Sequence, residues 1–192
     1  GGEPIMEMER SNRRILVIDD NVAIHDDFRK ILTRSLDTSL LQEARAELFD
    51  DIEEQTQIES FEVDCADQGQ MGYRMVQDAM KVNLPYAVAF VDMRMPPGWD
   101  GVETVEHLWE EDPELQVVIC TAFSDHAWED VIKRLNKNDK LLILRKPFDN
   151  IEVWQLANSL TKRWSEARQA KSQLDLLAKW AEERAEDAVK VD

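Results

Sequence analysis

The sequence predicts an α/β fold: a doubly wound parallel sheet of five strands with helices on both faces, and an extended helix at the C-terminal end. Three observations predict it. Five strand-like runs, Arg13–Asp20, Phe61–Ala66, Tyr86–Asp92, Leu115–Thr121 and Lys140–Lys146, alternate with helical patterns, the order that builds βαβ units and a parallel sheet. Four of the five, all but Phe61–Ala66, are almost continuously apolar, as strands buried on both faces are. Each of those four closes on a polar residue: Asp19 and Asp20, Asp92, Thr121 and Lys146.

Taken in order, residues 1–12 are polar and expected to fray. The run RRILVIDD holds the first strand, Ile15–Ile18 at its centre, and stops on two aspartates. From Asn21 to about Leu36 the spacing of Ile24, Phe28, Ile31 and Leu32 predicts an amphipathic helix. Residues 37–60 are rich in Glu, Asp and Gln and give no clear element. After the short strand at 61–66, a helix is expected over 70–82 and the second buried strand over 86–92. MPPGWDG at 95–101 is a loop dense in turn formers. Gly98 is expected to supply a positive φ there, and the two prolines to stiffen it. A helix over 102–111 is stopped by Asp112 and Pro113. LQVVICT is the next strand, Ser124 caps a helix to about Leu135, and KLLILRK is the last strand, expected to be buried. Asp149 caps a helix running from Asn150 almost to the end.

Bulk properties narrow the function. The formal net charge is -17, a surface that repels phosphate backbones, so nucleic-acid binding by this chain is not expected. No apolar run approaches the ~20 residues that span a bilayer, and the N-terminus does not resemble a signal peptide. Cys65 and Cys120 fall in predicted strands and read as free buried thiols, which fits a cytoplasmic setting. Two cysteines and three scattered histidines give a zinc site little to work with.

In a parallel sheet, functional groups gather beyond the carboxyl ends of the strands. Asp19, Asp20, Asp92, Thr121 and Lys146 would therefore converge on one edge. Three carboxylates so close are costly unless a cation neutralises them or some take up protons. Oxygen-only ligands favour a hard cation such as Mg²⁺. A lysine and a threonine hydroxyl suit phosphoryl oxygens, and an aspartate is a competent nucleophile for forming an acyl phosphate.

Over about residues 12–160 this pattern resembles the receiver domains of response regulators in two-component signalling. Asp19 and Asp20 match that family's acidic pair and Asp92 its phosphoacceptor. Met95, Pro96, Asp100 and Gly101 match the signature that follows, Thr121 with Ala122 the switch hydroxyl, and Lys146 with Pro147 the lysine–proline pair. The resemblance implies a flavodoxin-like sheet of order 2-1-3-4-5 and a cis bond before Pro147 that aims the lysine inward. It implies that Asp20 binds Mg²⁺ directly with Asp19 assisting, that Asp92 is both ligand and nucleophile, and that the Arg94 carbonyl is a further ligand. Lys146 would pair with the phosphoryl oxygens, and Thr121 would move toward them. The partner would be a histidine kinase or phosphotransfer protein. The domain would phosphorylate and dephosphorylate itself, and no separate enzymatic output is expected in this chain.

Three features depart from that family. The 37–60 segment is longer than the usual connection and reads as a surface elaboration, with a partner-docking or dimer-contact feature as the alternative. The loop after Asp92 carries one extra residue, and Trp99 within it is expected to cover the loop rather than the site. Ile143 stands where a switch aromatic is common, so the route from Thr121 outward is open; Phe123 and Arg94 flank the site as candidates for screening water.

Residues 161–192 are expected to form a helical linker. Leu160, Trp164, Ala167, Leu174, Leu177, Ala178 and Ala181 recur at three- and four-residue steps, as in a weak coiled coil. A parallel homodimer stalk is the expectation; a single helix folded back is the alternative. No output motif follows, and the chain is expected to be a fragment of a longer protein. Two other functions fit the residues less well. A haloacid-dehalogenase-type phosphatase needs aspartates two apart, whereas Asp19 and Asp20 are adjacent. A pseudo-receiver scaffold would not need an intact acidic site.

Overall fold

The structure, a computed structural model, describes residues 11–33, 60–122, 128–135 and 139–189. Within them lie β1 (Arg14–Ile18), α1 (Val22–Thr33), β2 (Glu62–Ala66), α2 (Gly69–Lys81) and β3 (Val88–Asp92). They are followed by α3 (Gly101–Glu111), β4 (Gln116–Thr121), α4 (Trp128–Leu135), β5 (Leu141–Arg145) and α5 (Asn150–Val189). The five strands form one sheet in the order β2-β1-β3-β4-β5, and all four pairings are parallel. Most of the 37–60 segment, with Phe123 and Ser124, lies outside the described residues.

Alternation along each strand sends successive side chains to opposite faces. Leu16 and Ile18 of β1 join Val91, Ile119, Val76, Val105 and Leu108 in a core under α2 and α3. Ile15 and Val17 join Phe90, Val118, Phe28, Leu32, Leu160 and Trp164 in a second core under α1 and α5. Continuous apolar sequence in β1, β3 and β4 is thus explained by two hydrophobic layers, each fully buried side chain contributing roughly 1.5–3 kcal/mol. The last strand departs from expectation. In β5 only Leu144 is buried, and Leu142 and Ile143 are exposed. It is an edge strand with one neighbour, so its apolar sequence does not bring two-sided burial.

Helix starts follow local chemistry. Asn21 Oδ1 accepts the Ala23 N–H at 3.0 Å, and Asp100 Oδ1 accepts the Glu103 N–H at 2.8 Å, each satisfying a donor at a helix N-terminus. At α5 the Asp149 N–H donates to the Glu152 carboxylate at 2.8 Å, one half of a capping box. The buried residues of α5 are Val153, Ala157, Leu160, Thr161 and Trp164, one stripe at helical spacing. Beyond Ser165 the described helix is exposed to its end, and Leu174, Leu176, Leu177 and Trp180 stand in solvent.

Candidate functional site

β1, β3, β4 and β5 end on the same edge of the sheet, and the sequence-predicted polar residues stand there. Lys146, one residue past β5, places Nζ 3.1 Å from Asp19 Oδ2 and 3.1 Å from Asp92 Oδ1. The Lys146–Pro147 bond is cis. The Lys146 N–H donates to the Thr121 carbonyl at 2.7 Å, tying β5 to the end of β4. Carboxylate oxygens of Asp19, Asp20 and Asp92, one from each, lie within 4.8 Å of one another. Asp19 is buried, Asp92 half-buried and Asp20 exposed. Thr121 is buried, and in register it lies one step past Cys120, the partner of Asp92. Arg94 is exposed, two residues past Asp92 at the start of the loop. Ile143 pairs with Ile119 in the strand register and faces solvent.

Asp19 is the most firmly held of the three acids. Its N–H donates to the Ala66 carbonyl at 3.0 Å. Its Oδ1 accepts the Asn21 N–H at 2.8 Å, and Oδ2 takes Lys146. Its own carbonyl lies 2.7 Å from His25 Nε2. A carbonyl only accepts, so that nitrogen carries the hydrogen. His25 and Asn21 were not singled out from sequence. The available signal was a histidine on the buried stripe of α1, in step with Phe28 and Leu32.

The signature after Asp92 is mainly architectural. A Cβ on Gly101 would come within 2.7 Å of the Asp92 carbonyl, so α3 can start against the strand end only with glycine there, and Asp100 caps it. The expected positive φ at Gly98 is not found, since no described glycine has one. A Cβ on Gly98 would fall 2.5 Å from Gln68 Oε1 and 2.7 Å from Gln70 Oε1, the free ends of side chains that can turn aside, so close packing does not demand glycine there as it does at Gly101. The Pro96–Pro97 bond is cis. Trp99 stacks on His107 at 4.1 Å between ring centroids and meets Tyr73 edge-on. It covers α2 and α3 rather than the carboxylates, as expected.

Among the described residues, the ammonium of Lys146 bonds two of the cluster's three carboxylates. Burial and the neighbouring Asp19 push the Asp92 carboxyl above its ordinary range; Lys146 offsets part of that rise, and Asp20 adds to it. Burial works against the charge on Lys146, yet Asp19 and Asp92 together raise its pKa. Burial also holds the Cys120 thiol neutral, pushed up to about 12. Three carboxylates facing one ammonium, all donors being oxygen, fit a hard divalent cation such as Mg²⁺.

A family model for the response regulator receiver domain matches residues 40–158. That span begins after β1 and α1 and takes in most of the 37–60 segment, so Asp19 and Asp20 lie ahead of the matched part and join the site through the fold. No curated protein matches the sequence. Among solved structures, one described as adenylate cyclase from Rhodopirellula baltica is 20% identical with a TM-score of 0.64, covering 85% of this chain and 98% of that one. A CheY-like receiver domain protein from Methanospirillum hungatei JF-1 is 18% identical with a TM-score of 0.57, covering 82% and 99%. The receiver domain of NtrX from Brucella abortus is 19% identical with a TM-score of 0.53, covering 77% and 98%. At such identities the likeness is one of fold; the match to the family model, across more than half of the chain, goes further. The chain belongs to the response regulator receiver domain family.

Proposed function

We propose that this receiver accepts a phosphoryl group on Asp92 in a two-component phosphorelay, from a histidine kinase or phosphotransfer protein. One observation carries the reading: a single ammonium, Lys146, bridges Asp19 and Asp92 at 3.1 Å to each, beside a third carboxylate. Asp20 and Asp92, with Asp19 behind them and the Arg94 carbonyl, would hold Mg²⁺. When bound, that ion supplies positive charge to the transferring phosphoryl group. An oxygen of Asp92 attacks phosphorus, a P–O bond forms, and the P–N bond to the donor imidazole breaks with the electron pair leaving on nitrogen. Lys146 turns from the carboxylates to the new phosphoryl oxygens. Thr121 supplies a hydroxyl to them. With Ile143 exposed in place of an aromatic, the change would pass through the backbone tie from Lys146 to Thr121 and on to β5 and α5. The chain's part in the relay is to accept and release the phosphoryl group, with no other catalytic step of its own.

The domain reading assigns residues 12–160 to the receiver, with the 37–60 segment as its elaboration, and 161–192 to a linker that dimerises. At about 100° per residue, Leu176, Leu177 and Trp180 lie on the side of the helix away from the docked stripe from Val153 to Trp164, with Leu174 between the two. Two copies paired along that outer face would keep their receiver bodies apart, as a parallel stalk requires. The acidic charge and the two free thiols suit a cytoplasmic protein that leaves nucleic acid alone. Among the described residues no helix is long and apolar enough to cross a membrane.

Incubation with Mg²⁺ and acetyl phosphate, followed by intact mass, tests the reading. A single phosphoryl adduct is expected, absent from Asp92→Asn and stripped by hydroxylamine. A wild type without an adduct would sink it. Sizing the same samples tests the stalk, which fails if the protein stays monomeric at high concentration in both states.

A further inference from the structure

We infer that His25 is a positioning residue for the acidic pair, acting through the backbone carbonyl of Asp19. The inference rests on the phosphoacceptor reading for its purpose, but its test needs no phosphorylation.

β1 pairs with β3 only as far as Ile18 opposite Val91, and with β2 as far as Ala66. The ladder stops there, yet Asp19 is still buried, 3% exposed. Its N–H finds the Ala66 carbonyl. Its carbonyl has left the ladder, and a buried carbonyl without a donor is costly. His25 supplies the donor from α1, with Nε2 at 2.7 Å. The imidazole is itself buried, 7% exposed, on the stripe with Phe28 and Leu32, so packing fixes where its N–H points.

The consequence falls on Asp20. The Asp19 carbonyl and the Asp20 N–H belong to one planar peptide unit. Pinning that carbonyl sets the plane from which the Asp20 side chain departs. The other two acids have side-chain anchors: Asp19 accepts from Asn21 and Lys146, and Asp92 from Lys146. Among the described residues the Asp20 carboxylate has no such hydrogen bond, and it is exposed. Its aim therefore depends on the backbone, which His25 pins at the Asp19 carbonyl and the Asn21 N–H bond to Asp19 Oδ1 holds on the other side. A partner one step behind a metal ligand commonly tunes affinity in this way.

The test is a Mg²⁺ titration without any phosphodonor, followed by backbone amide shifts around the site, on the full chain and three variants. His25→Leu keeps bulk without the donor. His25→Asn is polar but too short. His25→Gln places an N–H at about the reach of imidazole Nε2. Loss of Mg²⁺ affinity by about tenfold is expected for Leu and Asn, with Gln within about threefold of wild type. Melting curves accompany each titration, and the Asn–Gln pair carries the test if His25→Leu does not fold. The inference is overturned if His25→Leu and His25→Asn bind like wild type, if His25→Gln falls as far as His25→Asn, or if the wild type binds no Mg²⁺. A wild type that binds Mg²⁺ but forms no adduct on Asp92 overturns the phosphoacceptor reading alone.

Discussion

At the foot of the sheet, where the strands begin, Arg14 stands among acids. Its Nη2 lies 3.5 Å from Asp64 Oδ2, its Nε 3.7 Å from Glu62, and its Nη1 donates to the Leu84 carbonyl. Tyr86 donates to the same Asp64 oxygen at 2.6 Å, and the guanidinium lies 4.5 Å from the centre of the Tyr86 ring. Glu62 is largely solvated, so the working pair is one cation and one half-exposed carboxylate with a neutral donor beside it. At the head of the same sheet, three carboxylates share one lysine, and two of them are largely out of water. Both ends are ionic; of the two, only the head has more buried carboxylates than cations bonded to them among the described residues. A protein keeps an unbalanced buried cluster only when something else completes it, so the head reads as a site and the foot as a fastening.

The largest effect expected from that difference is stabilisation by Mg²⁺. At a free concentration about 100 times its dissociation constant, a ligand of the folded state alone adds about 2.7 kcal/mol. For a chain of this size that is roughly 5–10 °C in Tm. Calorimetry with and without Mg²⁺ measures it, and Asp92→Asn, with one carboxylate fewer, should gain much less. Equal gains in the two proteins would break the comparison, because the ion would then be acting elsewhere.

Removing a charge at the head gives the next effect, with a sign opposite to that at the foot. The folded Asp92 carboxyl binds its proton more tightly than the unfolded one, because burial and Asp19 raise its pKa. The stability of the protonated form is complete below the ordinary value of 3.8 and is lost as pH climbs through the raised folded value. Ionised Asp92 is then a net cost without a divalent ion. Asp92→Asn cannot ionise. In chelator it should match wild type at acid pH, become the more stable as pH climbs above 3.8, and hold that lead once Asp92 is ionised. The rise is about 2–4 °C in Tm for each kcal/mol relieved. A variant less stable than wild type at neutral pH would mean that Lys146 already balances the cluster.

Most of the head was legible in the sequence, because its residues close strands, and strand ends in a parallel sheet share an edge. Asp19, Asp92 and Lys146 meet there, and Thr121 stands beside them. What stayed hidden was set by contacts without a period. The bond from His25 to a backbone carbonyl leaves no spacing to read. Gly98 was expected to bend the backbone, whereas its φ is negative or extended and only the ends of the Gln68 and Gln70 side chains lie close to it. Composition also failed to separate an edge strand from a central one: LLIL in β5 looks as buried as ILVI in β1, and only topology shows that it has one neighbour. The foot was not anticipated at all, because Arg14 on β1, Asp64 on β2 and Tyr86 just ahead of β3 have no motif in common.

The smallest effect belongs to that fastening. Tyr86 is buried, and burial together with its bond to Asp64 raises its pKa, so it stays a neutral donor. Tyr86→Phe keeps the ring under Arg14 and removes one hydrogen bond to a carboxylate that still has Arg14 and water. Loss of about 1 kcal/mol is expected, since Asp64 is half-exposed and water replaces part of what is lost. Urea unfolding measures it, as a lower midpoint at unchanged slope. Because the foot is complete without an ion, the loss should be the same in Mg²⁺ and in chelator, and should add to that of any head variant, the two ends sharing no partner. If Tyr86→Phe instead changed the response to Mg²⁺, the ends of the sheet would be coupled, and the division into site and fastening would have to give way to one network through β1 and β3.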